Sequence, residues 1–386
     1  MTADIKKALR KKKEEEPPIT DADYLSTGST LLNLACTGRT LGGFLKGKYY
    51  FFVGDSSSGK TFFCLTCFAE AANNINFKDY RLIFDNAEDG ALMDFPKFFG
   101  QKMADKIEAP GKEKDGTPIY SENIEDFYYH VDDAIKADKP FIYVLDSMDS
   151  LSSEQEIGKF ADNKKASREG KDTTGTYTDG KAKINSSNLR QLISRIRETG
   201  SILIIINQTR DNIGFGAQFN PKTRSGGHAL KFYACLEMWS KVMGNIDKTV
   251  RGKKRQIGIK AGVRVKKNRI TGKDRSIEVP IYHSYGIDDI ESCVNFLIYE
   301  NHWEKAEKEE AKGARKRGKA APKKDKDSEG GKGKYCAPEF SFTGTPAKLI
   351  EKIQEEGLED TLRGIVQEVW DDIEKACEVP RKKRYE

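Results

Sequence analysis

The sequence predicts an α/β chain, a mostly parallel sheet flanked by helices, followed by a small α+β C-terminal domain. Three observations predict it. From Ser26 to about Gly286, apolar β-rich runs alternate with helical patterns, the arrangement that builds a parallel sheet. One of those runs stops at Gly54 and opens into Gly-Asp-Ser-Ser-Ser-Gly-Lys-Thr at 54–61, a complete phosphate-binding loop. Past 286 the pattern changes to one helix near 287–303, a low-complexity Lys/Glu/Gly insert at 304–334, a short strand pair, and helices from about 346 to 377.

In chain order, residues 1–25 form a charged, partly helical leader, with Pro17-Pro18 as a break. The leader has charge but no apolar core, so it is no secretory signal. Lys48-Tyr-Tyr-Phe-Phe-Val53 predicts a buried strand, and Thr61-Phe-Phe-Cys-Leu-Thr-Cys-Phe the helix after the loop. Between them Gly54 and Gly59 allow the sharp turn. The backbone N–H groups of Asp55, Ser56, Ser57 and Ser58 then wrap the phosphates of a nucleoside triphosphate, ATP, at a helix N-terminus. Lys60 reaches the β- and γ-phosphates and Thr61 ligates Mg²⁺. Cys64 and Cys67 lie on one face of that helix with no second metal pair in the chain, so they are expected to pack in the core rather than hold zinc.

Further strands are expected at 81–85, 140–146 and 201–207, and later ones at 231–240, 256–266 and 276–282. Two polar stretches are expected to be loops: 154–186, too long for an ordinary connection and so functional or disordered, and 209–226, glycine-rich after a core strand. A parallel sheet delivers the C-terminal ends of its strands to the ligand crevice. Asp146 ends one such strand and is placed to hold Mg²⁺ through water. Strand 81–85 runs into Asp85-Asn86-Ala87-Glu88, and both Asp85 and Glu88 are of the type that polarises an attacking water. Strand 201–207 runs into Asn207-Gln208, where Gln208 can bond the γ-phosphate and pass its presence into the following loop.

Composition excludes some classes. No stretch approaches the ~18 apolar residues of a membrane span, and seven scattered cysteines point to a reduced, cytoplasmic setting. The net charge of +6 is too small to demand a nucleic-acid partner, but basic residues cluster at 6–13, 164–183, 251–275, 305–334 and 380–386.

At this point the chain resembles the RecA family of homologous-recombination ATPases. The likeness is carried by Ser26-Thr27-Gly28-Ser29 and by Asn207-Gln208-Thr-Arg210-Asp-Asn-Ile-Gly214. It continues through Asn220-Pro221-Lys-Thr223-Arg-Ser-Gly226-Gly227-His-Ala-Leu-Lys-Phe-Tyr-Ala234 and Val265-Lys266-Lys267-Asn268-Arg269. It spans about 26–286, and the C-terminal unit more loosely. The resemblance implies a RecA-type core, with Glu88 rather than Asp85 activating water, Phe95 stacking on adenine and Gln208 sensing the γ-phosphate. It implies that Lys267 and Arg269 reach the neighbouring subunit's ATP, with Lys231 and Phe232 at the subunit interface. It assigns DNA binding to the loops 154–186 and 209–226, through Arg210, Lys222, Arg224, Gly226 and Gly227, and a weaker second DNA site near Lys241 and Arg264.

Departures are visible too. Lys222 stands where bacterial members usually carry an acid, the second loop is one residue longer, Arg269 replaces a lysine, the insert at 304–334 is unusual and the C-terminus is basic. They imply a phage-encoded or otherwise outlying member acting in a cytoplasm. The resemblance implies a DNA-dependent ATPase with ATP and Mg²⁺, a helical filament on single-stranded DNA with the leader 1–25 as a candidate polymerisation segment, double-stranded DNA as the second partner, and strand exchange. A mediator or annealing ATPase of the same fold is the alternative; a hexameric helicase fits 225–234 poorly. The unit 287–386 is expected to gather duplex DNA.

Overall fold

The structure, a computed structural model, describes residues 18–172, 180–211, 222–224, 226–306 and 333–382. The leader at 1–17, most of the 304–334 insert and the terminal residues 383–386 lie outside the described residues, as do the centres of both expected DNA loops. The chain divides into two compact units, Met1–Ile287 and Asp288–Glu386.

In the first unit β1 (Tyr24–Leu25), α1 (Thr30–Thr37) and β2 (Phe44–Leu45) lead into β3 (Lys48–Gly54). Then come α2 (Lys60–Asn73), β4 (Arg81–Asp85), and two short helices, α3 (Phe95–Phe99) and α4 (Gln101–Ala104). The small strands β5 (Ile107–Glu108), β6 (Gly111–Lys112) and β7 (Pro118–Ile119) precede α5 (Ile124–Lys136) and β8 (Phe141–Leu145). Next are α6 (Glu154–Arg168), α7 (Gly180–Thr199), β9 (Ile202–Asp211), β10 (Lys222–Arg224) and α8 (His228–Tyr233). The unit ends with β11 (Leu236–Val250), β12 (Lys253–Asn268), β13 (Arg275–Tyr282) and β14 (Gly286–Ile287).

The main sheet has the order β14-β13-β12-β11-β3-β9-β8-β4-β5. Pairing is parallel from β11 through β5 and antiparallel from β11 to β14. The phosphate-loop strand β3 is therefore central, with β9 on one side and β11 on the other. Its Tyr49, Tyr50, Phe51, Phe52 and Val53 are all buried, as expected of a parallel strand covered on both faces. Tyr49, Phe51 and Val53 pack with Phe127 and Val131 of α5 and with Leu189, Leu192 and Ile196 of α7. Each such side chain contributes roughly 1.5–3 kcal/mol by leaving water, which fixes β3 and the loop that continues it.

The structure corrects three sequence expectations. Among the described residues of the stretch 154–186, 154–168 and 180–186 are helical. Ser153 caps α6 by accepting from Glu156 N, and the Glu156 carboxylate accepts from Ser153 N, so the helix starts on a capping box. Glu154 and Glu156 in its first turn and Lys165 and Arg168 in its last complement the helix dipole. No residue of α6 is buried, which is why apolar periodicity does not reveal it. The stretch 209–226 is not simply a loop: β9 continues to Asp211 and β10 pairs back on it, Lys222 opposite Asp211 and Arg224 opposite Thr209. And the strand expected from 231 begins at Leu236, because Gly226 and Gly227, at φ +83° and +80°, turn the chain into α8 first.

The second unit comprises α9 (Asp289–Tyr299), β15 (Tyr335–Ala337), β16 (Phe342–Gly344), α10 (Pro346–Glu356) and α11 (Glu359–Ala376). Phe296 of α9 meets Trp370 of α11 with ring centroids 6.0 Å apart, and the buried Trp303 donates its Nε1–H to Glu339 at 3.0 Å. No helix among the described residues is long and apolar enough to cross a membrane.

Candidate functional site

Sheet register assembles the site. Gly54, the last residue of β3, lies opposite Gln208 of β9 on one side and Ser240 of β11 on the other. A Cβ at Gly54 would stand 2.1 Å from the Ser240 hydroxyl, so only glycine lets the three strands meet here. Ser58 then ties the loop down: its hydroxyl donates to the Asp55 carbonyl at 2.7 Å and shares a 2.7 Å bond with the Ser240 hydroxyl. Gly59 caps α2 at φ +87°, a conformation that favours glycine, and a Cβ there would come within 2.5 Å of Ile281. Ser56 and Ser57 are exposed at the crest of the loop.

The buried Lys60 ammonium donates to the carbonyls of Gly54 at 3.0 Å and Asp55 at 2.7 Å. Burial pulls its pKa below the ordinary lysine value, while the nearby carboxylates of Asp146, Glu88 and Asp55 act the other way. Thr61 donates its hydroxyl to Asp146 Oδ2 at 2.5 Å, bringing the first helical hydroxyl against the carboxylate after β8. Burial pushes the Asp146 carboxyl above its usual range; Glu88 adds to this, and the Thr61 bond and Lys60 oppose it. A loop whose glycines leave no room for side chains, a buried ammonium and a paired hydroxyl and carboxylate fit a triphosphate and its Mg²⁺. Cys64 and Cys67 are buried on α2, and burial pushes both thiols up.

The two carboxylates that follow β4 have different surroundings. Asp85 is fully buried and accepts three hydrogen bonds, from Ser121 N at 2.9 Å, Ser121 Oγ at 2.5 Å and Tyr143 Oη at 2.6 Å. Glu88 is exposed, its backbone N–H held by the Asp146 carbonyl, and its Oε1 accepts from Gln208 Nε2 at 2.6 Å. Phe95 opens α3 and packs its ring near those of Phe84 and Phe99.

Gln208 is also where the hairpin begins. Its backbone N–H donates to Asp149 Oδ2 at 2.6 Å, and Asp149 Oδ1 accepts from Arg210 Nη2 at 3.2 Å. On the other strand face Thr209 donates to Asp55, and the Lys222 ammonium lies 3.4 Å from Asp55 and 3.1 Å from Asp211. Glu88, Asp149, Ser150, Gln208, Thr209 and Arg210 line an open polar pocket of about 220 Å³. Sequence reasoning missed Asp149, Thr209 and Ser240; the one available signal was that Asp149 lies three residues beyond Asp146.

A second cluster forms around α8. Lys267 Nζ donates to the carbonyls of Lys231 at 2.6 Å and Phe232 at 2.9 Å, and Arg269 Nη2 donates to Phe232 O at 2.7 Å. The Phe232 ring is 63% exposed, with the Arg269 guanidinium 5.8 Å from its centroid. Lys231 lies 3.6 Å from the buried Glu237 carboxylate. Burial and the adjacent Arg269 bring Lys267 down to a pKa of about 8. Gly226 and Gly227 precede this cluster, and Asn185 Nδ2 donates to the Gly226 carbonyl at 3.0 Å. Of the expected second-site residues, Arg264 is paired in bidentate fashion with Asp274 and Lys241 is exposed on β11.

Known proteins resemble this chain in sequence. The family described as RecA N-terminal domain matches residues 130–288, which hold Asp146, the β9–β10 hairpin and the α8 cluster. The protein RecA of Cytophaga hutchinsonii is 29% identical over 284 residues, covering 72% of this chain and 70% of its own length. That of Thermus thermophilus is 26% identical over 292 residues, 75% of this chain and 76% of its own. That of Rhodospirillum rubrum is 27% identical over 290 residues, 75% of this chain and 69% of its own. With a central phosphate-loop strand in a mostly parallel sheet and likeness over about three quarters of its length, the chain is similar to the RecA family, as a divergent relative.

Proposed function

We propose that the chain is an ATP-dependent DNA recombinase that forms a helical filament on single-stranded DNA and pairs it with homologous duplex. The observation that carries this reading is the 2.6 Å bond from Gln208 to Glu88 at the root of a hairpin bearing Arg210 and Lys222. Strand β9 thus carries both the residue bonded to the proposed water-activating carboxylate and Arg210, one of the cations expected to meet DNA.

In this reading Lys60 and the loop N–H groups bind the phosphates, and Phe95 stacks on the adenine. Thr61 and Asp146 would hold Mg²⁺, which when bound supplies charge neutralisation on the phosphates. Glu88 orients the attacking water and accepts its proton at a carboxylate oxygen. Asp85 is a poor alternative, because three donors already surround its buried carboxyl. Gln208 holds Glu88 and presents its amide to the γ-phosphate. Lys267 and Arg269, held on carbonyls of α8 beside an exposed Phe232, serve a neighbouring subunit's site, so hydrolysis depends on assembly. Arg210, Lys222 and Arg224 contact nucleic-acid phosphates, which carry no sequence information, and duplex DNA meets Lys241, Arg264 and the basic second unit.

Joint-molecule formation between a circular single strand and homologous linear duplex, with ATP and Mg²⁺, tests the proposal. Joints that require ATP support it. Single-strand coating and ATP hydrolysis without joints would instead assign the chain to mediator or annealing work.

A further inference from the structure

The base of the β9–β10 hairpin is gripped on both faces by carboxylates from outside it. Alternate residues of a strand face opposite sides. Gln208 and Arg210 face one side, and there the Asp149 carboxylate takes the Gln208 backbone N–H on one oxygen and the Arg210 guanidinium on the other. Thr209 faces the other side and donates to Asp55, which also lies 3.4 Å from Lys222. Asp149 is only 9% exposed, whereas Asp55 is 39%, Lys222 46% and Arg210 59% exposed, so both cations stand largely in solvent where a second anion can reach them. Asp55 belongs to the phosphate loop and Asp149 to the segment after Asp146; each therefore joins one wall of the nucleotide site to the hairpin.

We propose that Asp149 and Asp55 are positioning residues that couple the hairpin's engagement by single-stranded DNA to the Glu88–Gln208 pair and the phosphate loop. The proposal rests on the functional reading above and extends it. Ion pairs whose cation stands in solvent, as Arg210 and Lys222 do, contribute weakly, about 1 kcal/mol each. A polyanion that presents several phosphates displaces such carboxylates readily. Once Arg210 and Lys222 turn to phosphate, Asp149 and Asp55 lose the counter-charges that tie them to the hairpin, and the positions of Gln208 and the phosphate loop adjust together. Coupling of this kind is reciprocal: whatever factor DNA exerts on ATP affinity, ATP exerts on DNA affinity.

The test uses the full chain with Asp149→Asn, Asp55→Asn and the double substitution, which keep side-chain shape and an acceptor oxygen but remove the charge. Binding to oligodeoxythymidine is measured by fluorescence anisotropy with and without ATP, and the ratio of the two affinities gives the coupling factor. Each substitution should tighten nucleotide-free DNA binding roughly two- to fivefold, the equivalent of one weak ion pair, and move the coupling factor toward one. Asp149→Glu should restore part of the coupling. Hydrogen exchange at the Gln208 amide reads the clamp without DNA: Asp149→Ala should speed it at least tenfold. Unchanged exchange, or altered exchange with wild-type affinity and coupling, overturns the proposal. Failure of the wild-type chain to bind single strands or hydrolyse ATP is a different result: it overturns the functional reading, and the proposal with it.

Discussion

Asp85 and Glu88 are three residues apart and of similar chemistry but have different surroundings, so substituting each in turn should give opposite outcomes. Truncating Asp85 to alanine leaves Ser121 N–H, Ser121 Oγ–H and Tyr143 Oη–H pointing at a void inside the core. The Ser121 hydroxyl can turn to His130 Nδ1, 3.0 Å away, which leaves two buried donors orphaned at about 1–3 kcal/mol each. With the packing loss added, Asp85→Ala should cost about 3–5 kcal/mol, a fall in Tm on the order of 10 °C. Glu88 is exposed and its side chain bonds Gln208. Glu88→Gln should hold stability within about 0.5 kcal/mol, keep ATP affinity, and lower kcat roughly 10²–10⁴-fold, the usual value of a general base. Calorimetry reads the first effect, and phosphate release with nucleotide binding the second. Wild-type hydrolysis by Glu88→Gln, together with an Asp85→Asn protein that is folded, binds ATP and is inactive, would move water activation to Asp85.

Lys267 titrates near pH 8 and the unfolded lysine near 10.5. Between those values the unfolded chain binds the extra proton, so this group's contribution to stability rises with pH, while the cation proposed to serve a neighbour disappears. DNA-stimulated turnover should therefore decline through about pH 8, and Lys267→Arg should remove that limb; a profile that Lys267→Arg leaves unmoved counts against a role for its charge. Deleting 304–334 should flatten the salt dependence of duplex binding, because fewer counterions are then released; an unchanged slope means the insert makes no phosphate contacts. Lys60→Ala should not hydrolyse ATP and neither should the Lys267→Ala, Arg269→Ala double variant. Mixtures of the two should recover activity at junctions where an intact phosphate loop meets intact cations. No recovery in mixtures shown to co-assemble would place those cations in their own subunit's site.

The sheet was legible in the sequence because its strands are apolar runs that end in glycine or a polar residue, as Lys48–Gly54 and Ile202–Gln208 do. The phosphate loop was legible because its spacing is set by local turn chemistry. Helix α6 was not, since a capping box and end charges hold it rather than a buried stripe. Helix α8 was hidden by the apolar, aromatic run Ala229-Leu-Lys-Phe-Tyr-Ala234, which has strand composition. Its start is set by the left-handed pair Gly226 and Gly227 instead. Among single residues, Asp85 and Glu88 were indistinguishable by type; burial against Tyr143 separates them, and burial is a tertiary property.

Asp149 shows why such residues escape a linear reading. Its neighbours in sequence, Met148 and Ser150, say nothing of Gln208, 59 positions away. The two meet because β8 and β9 are parallel neighbours in register, Leu145 opposite Ile205, so that the segment leaving β8 passes beside the end of β9. The same register sets Gln208 opposite Gly54. A shift of one residue in β9 would turn Gln208 away from Glu88 and bring Thr209 to its place. The tie between the nucleotide loop and the hairpin is thus a consequence of strand register. The buried aromatic and aliphatic side chains of β3, β8 and β9, which never touch a ligand, maintain that register, and core substitutions that loosen it should weaken coupling before they abolish nucleotide binding.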